Sequence, residues 1–193
     1  MDMGTLDKRL FDGLAVSALT RRLLQPVLMS DVADATTEVL HIGCGTGRLT
    51  YALAQAFPGW HIAVLDSDTD LAAAACHRLG VLNQGLRVTR ADPPELPYPD
   101  STFDLVIAAN VWHRLPQWRT VTVQAHRVLR PGGVLLLTDV RMPRMPRMPS
   151  SRTASWSPRL SLTELKVVLS VTGFELTRCT ELSTIWYRIL ATR

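Results

Sequence analysis

The amino-acid sequence predicts one α/β domain, a three-layer α/β/α sandwich with a mostly parallel sheet. From residue 37 onward, short apolar segments alternate with longer segments of helical spacing, the pattern of repeated strand–helix units. The short segments are apolar along nearly their whole length, as strands are when helices cover both faces of a parallel sheet. A length of 193 residues fits one domain with a sizeable core.

Residues 1–36 are interpreted as an N-terminal helical segment or lid that precedes the domain at 37–193. Leu6, Leu10 and Leu14 approximate helical spacing. Pro26 is expected to end or kink this helix, because proline cannot continue the backbone hydrogen-bond pattern.

The strands and helices of the domain follow in alternation. Strands are predicted at Glu38–Ile42, His61–Leu65, Leu86–Thr89, Leu105–Ala109 and Val134–Thr138. Helices are predicted at Arg48–Phe57, Thr69–Leu79 and Gln117–Leu129. Right-handed crossovers place the loops that follow the strands along one edge of the sheet. That edge is where open α/β sheets bind their ligands.

The segment 141–160 interrupts this alternation, because the triplet Arg-Met-Pro occurs in it three times and further serines and prolines follow. We predict an irregular loop, either solvated or presenting a ridge of arginines to an anionic group. Ser161 and Glu164 then form a capping-box pattern that starts a helix ending near Thr172. Two closing strands are predicted after it, at Phe174–Cys179 and Thr184–Leu190.

Composition limits the classes of function. The chain has 21 lysines and arginines against 17 acidic residues, a modest excess that allows an anionic substrate or nucleic acid without favouring either. The three cysteines have no metal-ligand spacing, so we expect reduced thiols and no metal site. Met1–Gly13 is polar, and no apolar run approaches the roughly 18 residues that cross a bilayer. We therefore expect a cytoplasmic protein without membrane insertion.

A glycine-rich turn, Gly43-Cys44-Gly45-Thr46-Gly47, leads from the first strand into the first helix. Glycines let the chain turn tightly and let a ligand approach the backbone. The helix start supplies unpaired N–H groups that can bind a carboxylate or a phosphate. Gly47 comes one residue too early for the Gly-x-Gly-x-x-Gly pattern of dinucleotide-binding turns. The turn therefore indicates a different small ligand, or a strand–helix turn without one.

Two aspartates follow the next two strands. Asp66 can accept hydrogen bonds from both hydroxyls of a ribose, and Asp92 can accept from an adenine amino group. The alternative is that loop aspartates cap helices, and Ser67 and Asp68 indicate such a cap.

Four blocks of the sequence, at 39–47, 64–66, 91–106 and 127–133, resemble the class I S-adenosylmethionine-dependent methyltransferases. The resemblance is strongest to the methyltransferases of small molecules that are related to the enzymes that methylate quinone rings. It implies a Rossmann-like, seven-stranded sheet whose last strand is antiparallel.

The resemblance also implies S-adenosylmethionine as the cofactor. The glycine turn would hold its methionine part, Asp66 its ribose and Asp92 its adenine amino group. Leu71 would lie near the adenine, and Asn110 near the reacting end. The expected cofactor-binding residues are His41, Gly43, Cys44, Gly45, Gly47, Asp66, Ser67, Leu71, Asp92, Pro93 and Asn110.

His41 departs from the family pattern, in which an aspartate or glutamate helps to orient the amino end of the cofactor. A neutral histidine can form a hydrogen bond there, whereas a protonated one would repel the cationic ammonium group. We therefore expect weaker binding or a rearranged water network. The alternative is a core histidine paired with a local carbonyl.

Methyl transfer to a nucleophile that must lose a proton needs a base. Candidates are His113, which is otherwise a surface histidine that starts a helix, and Asp139, which is otherwise a loop or capping acid. Trp112 and Trp156 are candidate substrate contacts, with ordinary packing as the alternative. Phe11 is a candidate lid residue, because the N-terminal segment of such enzymes often folds over the cofactor.

The sequence leaves three functions open. The leading hypothesis is methylation of a small molecule at O, N or C; the oligomeric state stays open, with a homodimer among the alternatives. The second is a non-catalytic, methyltransferase-like binding module, which His41 and the shortness of the loop at 141–160, where the family commonly inserts a substrate lid, favour. The third is methylation of RNA or DNA. Asn110-Val111-Trp112-His113 differs from the Asn/Asp-Pro-Pro-aromatic motif of amino-group DNA methyltransferases, which argues against the third.

Overall fold

The computed structural model describes residues 37–82, 86–140, 160–183 and 186–193. The described chain forms one sheet with helices packed against it. The strands are β1 Glu38–Ile42, β2 His61–Asp66, β3 Arg87–Arg90, β4 Phe103–Ala109, β5 Leu129–Val140, β6 Glu175–Glu181 and β7 Trp186–Thr192. The helices are α1 Arg48–Ala56, α2 Thr69–Leu79, α3 Trp118–Val128 and α4 Leu162–Thr172.

The seven strands lie in the order β3-β2-β1-β4-β5-β7-β6. Strands β1 to β5 pair in parallel, whereas β7 runs antiparallel to both of its neighbours, β5 and β6. The predicted fold class is therefore confirmed, including the antiparallel direction of the last strand. The carboxyl ends of the five parallel strands meet at one edge of the sheet, and the order reverses between β1 and β4.

Successive residues of the central strands pack on opposite faces of the sheet. Leu40 and Ile42 of β1 belong to a core that includes residues of α3 and α4. Val39 belongs to the opposite core, which includes Leu53 of α1 and Leu136 of β5. This two-sided burial explains why the strands are apolar along their whole length.

Strand β5 is longer than the Val134–Thr138 that the sequence predicts. It begins at Leu129, which pairs with Phe103 of β4, and a register shift separates this pair from the regular pairing of Leu105 with Val134. The glycines at 132 and 133 thus lie within an irregular strand rather than in a loop before it.

Two predicted caps are present. The Ser161 side chain accepts a hydrogen bond from the Glu164 backbone N–H at 3.0 Å and begins α4. The Asp68 carboxylate accepts from the backbone N–H groups of Asp70 and Leu71, at 3.0 and 3.1 Å, and begins α2. The capping function thus falls to Asp68, which leaves Asp66 for a different function.

The N-terminal segment with Phe11 and the Arg-Met-Pro loop with Trp156 lie outside the described residues. The predictions for them stay predictions. Among the described residues, we find no helix of the length and apolar character that a membrane crossing requires.

Candidate functional site

The glycine turn contacts the carboxyl ends of β2 and β4, through backbone hydrogen bonds to the first and side-chain packing against the residue that follows the second. The N–H groups of Gly43 and Cys44 both donate to the Leu65 carbonyl, at 2.8 and 3.3 Å. Gly43 has φ +68°, and a Cβ atom there would lie 2.4 Å from Val111 Cγ2. Side chains at this position are therefore excluded by packing, and Val111 brings the end of β4 against the turn.

Gly45, at the centre of the turn, differs from Gly43 because it faces open space. Its φ is +56°, and a Cβ atom there would meet no atom of the described residues within 4 Å. A glycine at such a position leaves the backbone open to a ligand. A cofactor bound at the carboxyl edge of the sheet would contact the backbone at this open position.

Asp66 links the turn to the end of β2. Its Oδ2 accepts a hydrogen bond from Gly45 N at 2.8 Å, and its Oδ1 accepts from Asp68 N at 3.0 Å. Burial raises the pKa of this carboxyl group above its ordinary value, although backbone hydrogen bonds from Asp68, Gly45 and Ser67 act in the opposite direction. Each carboxylate oxygen has two acceptor positions. Asp66 therefore retains acceptor capacity for the hydroxyl groups of a ribose.

The other predicted cofactor contacts lie at the same edge of the sheet. Ser67 is half-buried and follows β2, and Leu71 is buried in the first turn of α2. Asp92 is exposed beyond the end of β3, beside the buried Pro93. This placement agrees with an adenosine group lying across the ends of β2 and β3.

His41 is buried between β1 and α1, two residues before Gly43. Its Nδ1 lies 2.8 Å from Thr50 Oγ1. Burial lowers the pKa of His41 to about 4, so the imidazole is neutral at physiological pH. The other ring nitrogen, Nε2, is buried and has no hydrogen-bond partner within the described part of the chain. The partner at Nδ1 is thus a threonine hydroxyl and not the local carbonyl that the sequence suggested.

This burial predicts a pH dependence of stability. The pKa of His41 falls from 6.5 to about 4 on folding, so the unfolded chain binds more protons between these values and stability decreases as pH falls. We expect His41 to lower the free energy of unfolding by about 3 kcal/mol between pH 7 and pH 4. Urea denaturation at several pH values measures this change in the free energy of unfolding. His41→Leu should lose this part of the slope and His77→Gln, at an exposed position, should retain it. Equal slopes in wild type and His41→Leu would contradict the prediction.

Asn110 follows β4 directly and has a left-handed backbone with φ +57°. Its N–H donates to the Thr138 carbonyl at 2.7 Å, which fixes it beside β5. Its side-chain Oδ1 is buried without a hydrogen-bond partner in the described chain. A buried acceptor without a donor is costly, and such groups are rare unless a ligand or water satisfies them.

His113 and Asp139 form a buried pair where β4 and β5 end. His113 Nδ1 lies 2.5 Å from Asp139 Oδ1, and the side chains are 2% and 0% exposed. The backbone N–H groups of His113 and Val140 also donate to the Asp139 carboxylate, at 3.0 and 2.7 Å. Because a carboxylate has no proton to donate, His113 Nδ1 carries the hydrogen of this bond. Burial excludes the alternative that His113 is a surface residue.

Trp112 is a core residue of the main apolar cluster. Its side chain is 0% exposed within the main apolar core, and its Nε1 donates to Thr122 Oγ1 at 3.3 Å. The complete burial of Trp112 agrees with ordinary packing, the alternative that the sequence left open beside a substrate contact. Sequence reasoning missed Thr50, for which the pattern of an amphipathic helix contains no signal.

Comparisons with known proteins give the family of the chain. Residues 39–133 match a family model described as a methyltransferase domain. The chain is 32% identical over 145 residues to a fatty-acid O-methyltransferase of Mycolicibacterium smegmatis, covering 74% of this chain and 52% of that protein. It is 35% identical over 129 residues to a 27-O-demethylrifamycin SV methyltransferase of Amycolatopsis mediterranei. This match covers 65% of this chain and 45% of that protein. The chain therefore spans about half the length of these curated relatives.

The fold also resembles solved structures. A crystal structure described as a SAM-dependent methyltransferase from Aquifex aeolicus superimposes with a TM-score of 0.79 at 17% identity, and the match covers 99% of both chains. At this level of identity the likeness concerns the fold.

Proposed function

The chain belongs to the class I S-adenosylmethionine-dependent methyltransferases, and on that premise we propose that it methylates a hydroxyl oxygen of a small organic molecule. The observation that carries the proposal is the buried pair of His113 and Asp139 at the carboxyl ends of β4 and β5. This pair supplies a positioned base at the edge of the sheet where ligands bind.

The residues at that edge fit the cofactor. Gly45 leaves its backbone open where the methionine part would lie, and Asp66 retains acceptor capacity for the ribose. Asp92, exposed beyond β3, would accept a hydrogen bond from the adenine amino group. When bound, the cofactor supplies an electrophilic methyl carbon on its sulfonium sulfur.

The base would act on the proton of the acceptor. A hydroxyl oxygen becomes a better nucleophile as it loses its proton, so a base in the site accelerates the transfer. Since Nδ1 of His113 donates to Asp139, Nε2 is the ring nitrogen that would take up the proton of the acceptor. The Asp139 carboxylate then stabilises the imidazolium and holds the ring orientation, as the aspartate does in hydrolase triads.

The relatives support an oxygen nucleophile. Two of them, the fatty-acid O-methyltransferase and the 27-O-demethylrifamycin SV methyltransferase, carry the methylated oxygen in their names. Their acceptors are small molecules, which supports a small-molecule substrate over a nucleic acid for this chain. The position of the base further favours a hydroxyl group, because a carboxylate is already ionised and needs no base.

The proposal is tested in two steps. Calorimetry with S-adenosylhomocysteine should give micromolar binding. Transfer from methyl-labelled S-adenosylmethionine should then be detected by mass spectrometry in a panel of phenols, aliphatic alcohols, fatty acids and amines, with RNA and DNA included. We expect labelled methyl ethers. A folded chain that binds no cofactor would support the binding-module hypothesis instead, and transfer confined to amines or nucleic acids would contradict the proposal.

A further inference from the structure

We propose that Arg188 of β7, together with Thr138 of β5 and Thr180 of β6, binds an acidic group of the methyl acceptor, a carboxylate or a phosphate. The inference rests on the proposed function and narrows its substrates to hydroxy compounds that carry a negative charge. It concerns a face of the sheet that neither the cofactor residues nor the pair of His113 and Asp139 occupy.

The three side chains form a threonine–arginine row across the sheet. Thr138 pairs with Arg188 between β5 and β7, and Arg188 pairs with Thr180 between β7 and β6. Directly opposite residues of antiparallel strands point to the same face, with Cβ atoms about 4.5–5.5 Å apart. Leu136 and Leu190, two positions away from the row on β5 and β7, belong to the core that contains residues of α1. The row therefore lies on the α1 side of the sheet.

The row is close to the edge of the sheet where ligands bind. β5 ends at Val140, two residues beyond Thr138, and Thr138 pairs on its other side with Ala109, the last residue of β4. Asp139, which orients the proposed base, follows Thr138 directly and points to the opposite face. An acceptor that passes the end of β5 could therefore present its hydroxyl group to one face and its acidic group to the other.

Thr138 has a buried hydroxyl group that points to a ligand. Its side chain is 1% exposed, and Oγ1 has no hydrogen-bond partner among the described residues. A buried polar atom without a partner is costly, and such atoms are rare unless a ligand or water satisfies them. A hydroxyl group beside a guanidinium group can donate to the same anionic oxygens that the guanidinium binds.

The charges on this face favour an anion. Arg188 is half-buried, and Arg178 of β6 is its diagonal neighbour on the same face. Burial and the repulsion by Arg178 both lower the pKa of Arg188. Asp139 and Glu181 both pair with Tyr187, so these acids point to the opposite face. An anion would relieve the repulsion between the arginines, and a guanidinium group matches the geometry of a carboxylate or a phosphate.

The test compares anionic ligands with neutral ones of similar shape. The pairs are para-hydroxybenzoate with para-hydroxybenzamide, omega-hydroxylauric acid with its amide, and glycerol phosphate with glycerol. Calorimetry uses the protein saturated with S-adenosylhomocysteine, so that binding is measured without transfer. Wild type is compared with Arg188→Gln, Arg188→Lys and Thr138→Val. Arg87→Gln is the control, because it removes the same charge from an exposed position on β3.

At least one anionic ligand should bind to wild type about tenfold to a hundredfold more tightly than its neutral counterpart. Arg188→Gln should remove this preference, Arg188→Lys should keep part of it, and Arg87→Gln should keep all of it. Thr138→Val should weaken binding of the anion and leave the neutral ligand unchanged. Affinity for S-adenosylhomocysteine should be the same in every variant. Thr138→Val keeps the test valid if the Arg188 variants do not fold.

Other outcomes overturn the inference. These are the absence of a preference for anions in wild type, a preference that survives in Arg188→Gln, and an equal loss of both ligands, which would indicate packing. Inorganic phosphate that binds through Arg188 without any preference among the paired ligands would assign the site to a free anion. If an acid binds through Arg188 but its hydroxyl group receives no methyl group, the proposed function fails while the anion site remains.

Discussion

Replacing Gly45 with arginine is expected to lower the affinity for S-adenosylhomocysteine by a factor of about a hundred or more, while the domain stays folded. Gly45 has φ +56°, and its Cα faces open space. A large side chain there would occupy the volume that the cofactor needs. The left-handed backbone adds strain of roughly 1–2 kcal/mol, which a domain of ordinary stability tolerates. Calorimetry measures the affinity, and urea denaturation measures the free energy of unfolding.

Gly132→Arg is the matched control for this experiment. Gly132 also has a positive φ, +80°, and a Cβ atom there would meet nothing within 4 Å in the described part of the chain. It lies near the start of β5, at the opposite edge of the sheet from the glycine turn. The two variants should lose similar stability, and the control should bind normally. Equal affinities of Gly45→Arg and Gly132→Arg would show that the cofactor does not bind at the turn.

Replacing Asp139 with asparagine is expected to lower kcat for a hydroxyl acceptor about a hundredfold to ten thousandfold, the usual contribution of a positioned base. The side chain keeps its size, but an amide no longer stabilises the imidazolium of His113 and its NH₂ group disfavours the Nδ1–H tautomer. Affinity for S-adenosylhomocysteine should be unchanged, because the pair takes no part in holding the cofactor. Steady-state kinetics with labelled methyl transfer measures the effect.

A carboxylic acid acceptor provides the control for the Asp139 variant. Its ionised oxygen needs no base, so Asp139→Asn should reduce its methylation far less than that of an alcohol or a phenol. His113→Gln should give the same contrast between acceptors, because both changes remove the same base. A similar loss for both kinds of acceptor would assign a structural role to the pair.

The fold was predictable because its signals are local. The helix Thr69–Leu79 and the strand Glu38–Ile42 have the same bounds in prediction and structure. Each is defined by apolar spacing and by neighbouring turn residues, which act over a few positions along the chain. Strand β5 was predicted too short, because its first residues pair with β4 across a register shift, and no local pattern encodes such a shift.

The candidate site was only partly predictable. The glycine turn, Asp66, His113 and Asp139 could be named from their places after strands. Which of these residues meet could not be derived, because His113 and Asp139 are 26 positions apart and their contact depends on the pairing of β4 with β5. The choice between packing and a substrate contact for Trp112 could not be made for the same reason, since its burial depends on residues that are distant along the chain.

The sequence by itself determined the α/β fold, the glycine turn and the identity of the candidate residues, because each follows from the spacing of nearby residues. Tertiary structure alone decided that burial lowers the pKa of His41, and that His41 Nε2 and Asn110 Oδ1 have no hydrogen-bond partner among the described residues. It also decided that Gly45 faces open space whereas Gly43 is closed by Val111. Desolvation, hydrogen-bond partnership and free volume depend on residues that are distant along the chain and become neighbours only when the sheet assembles.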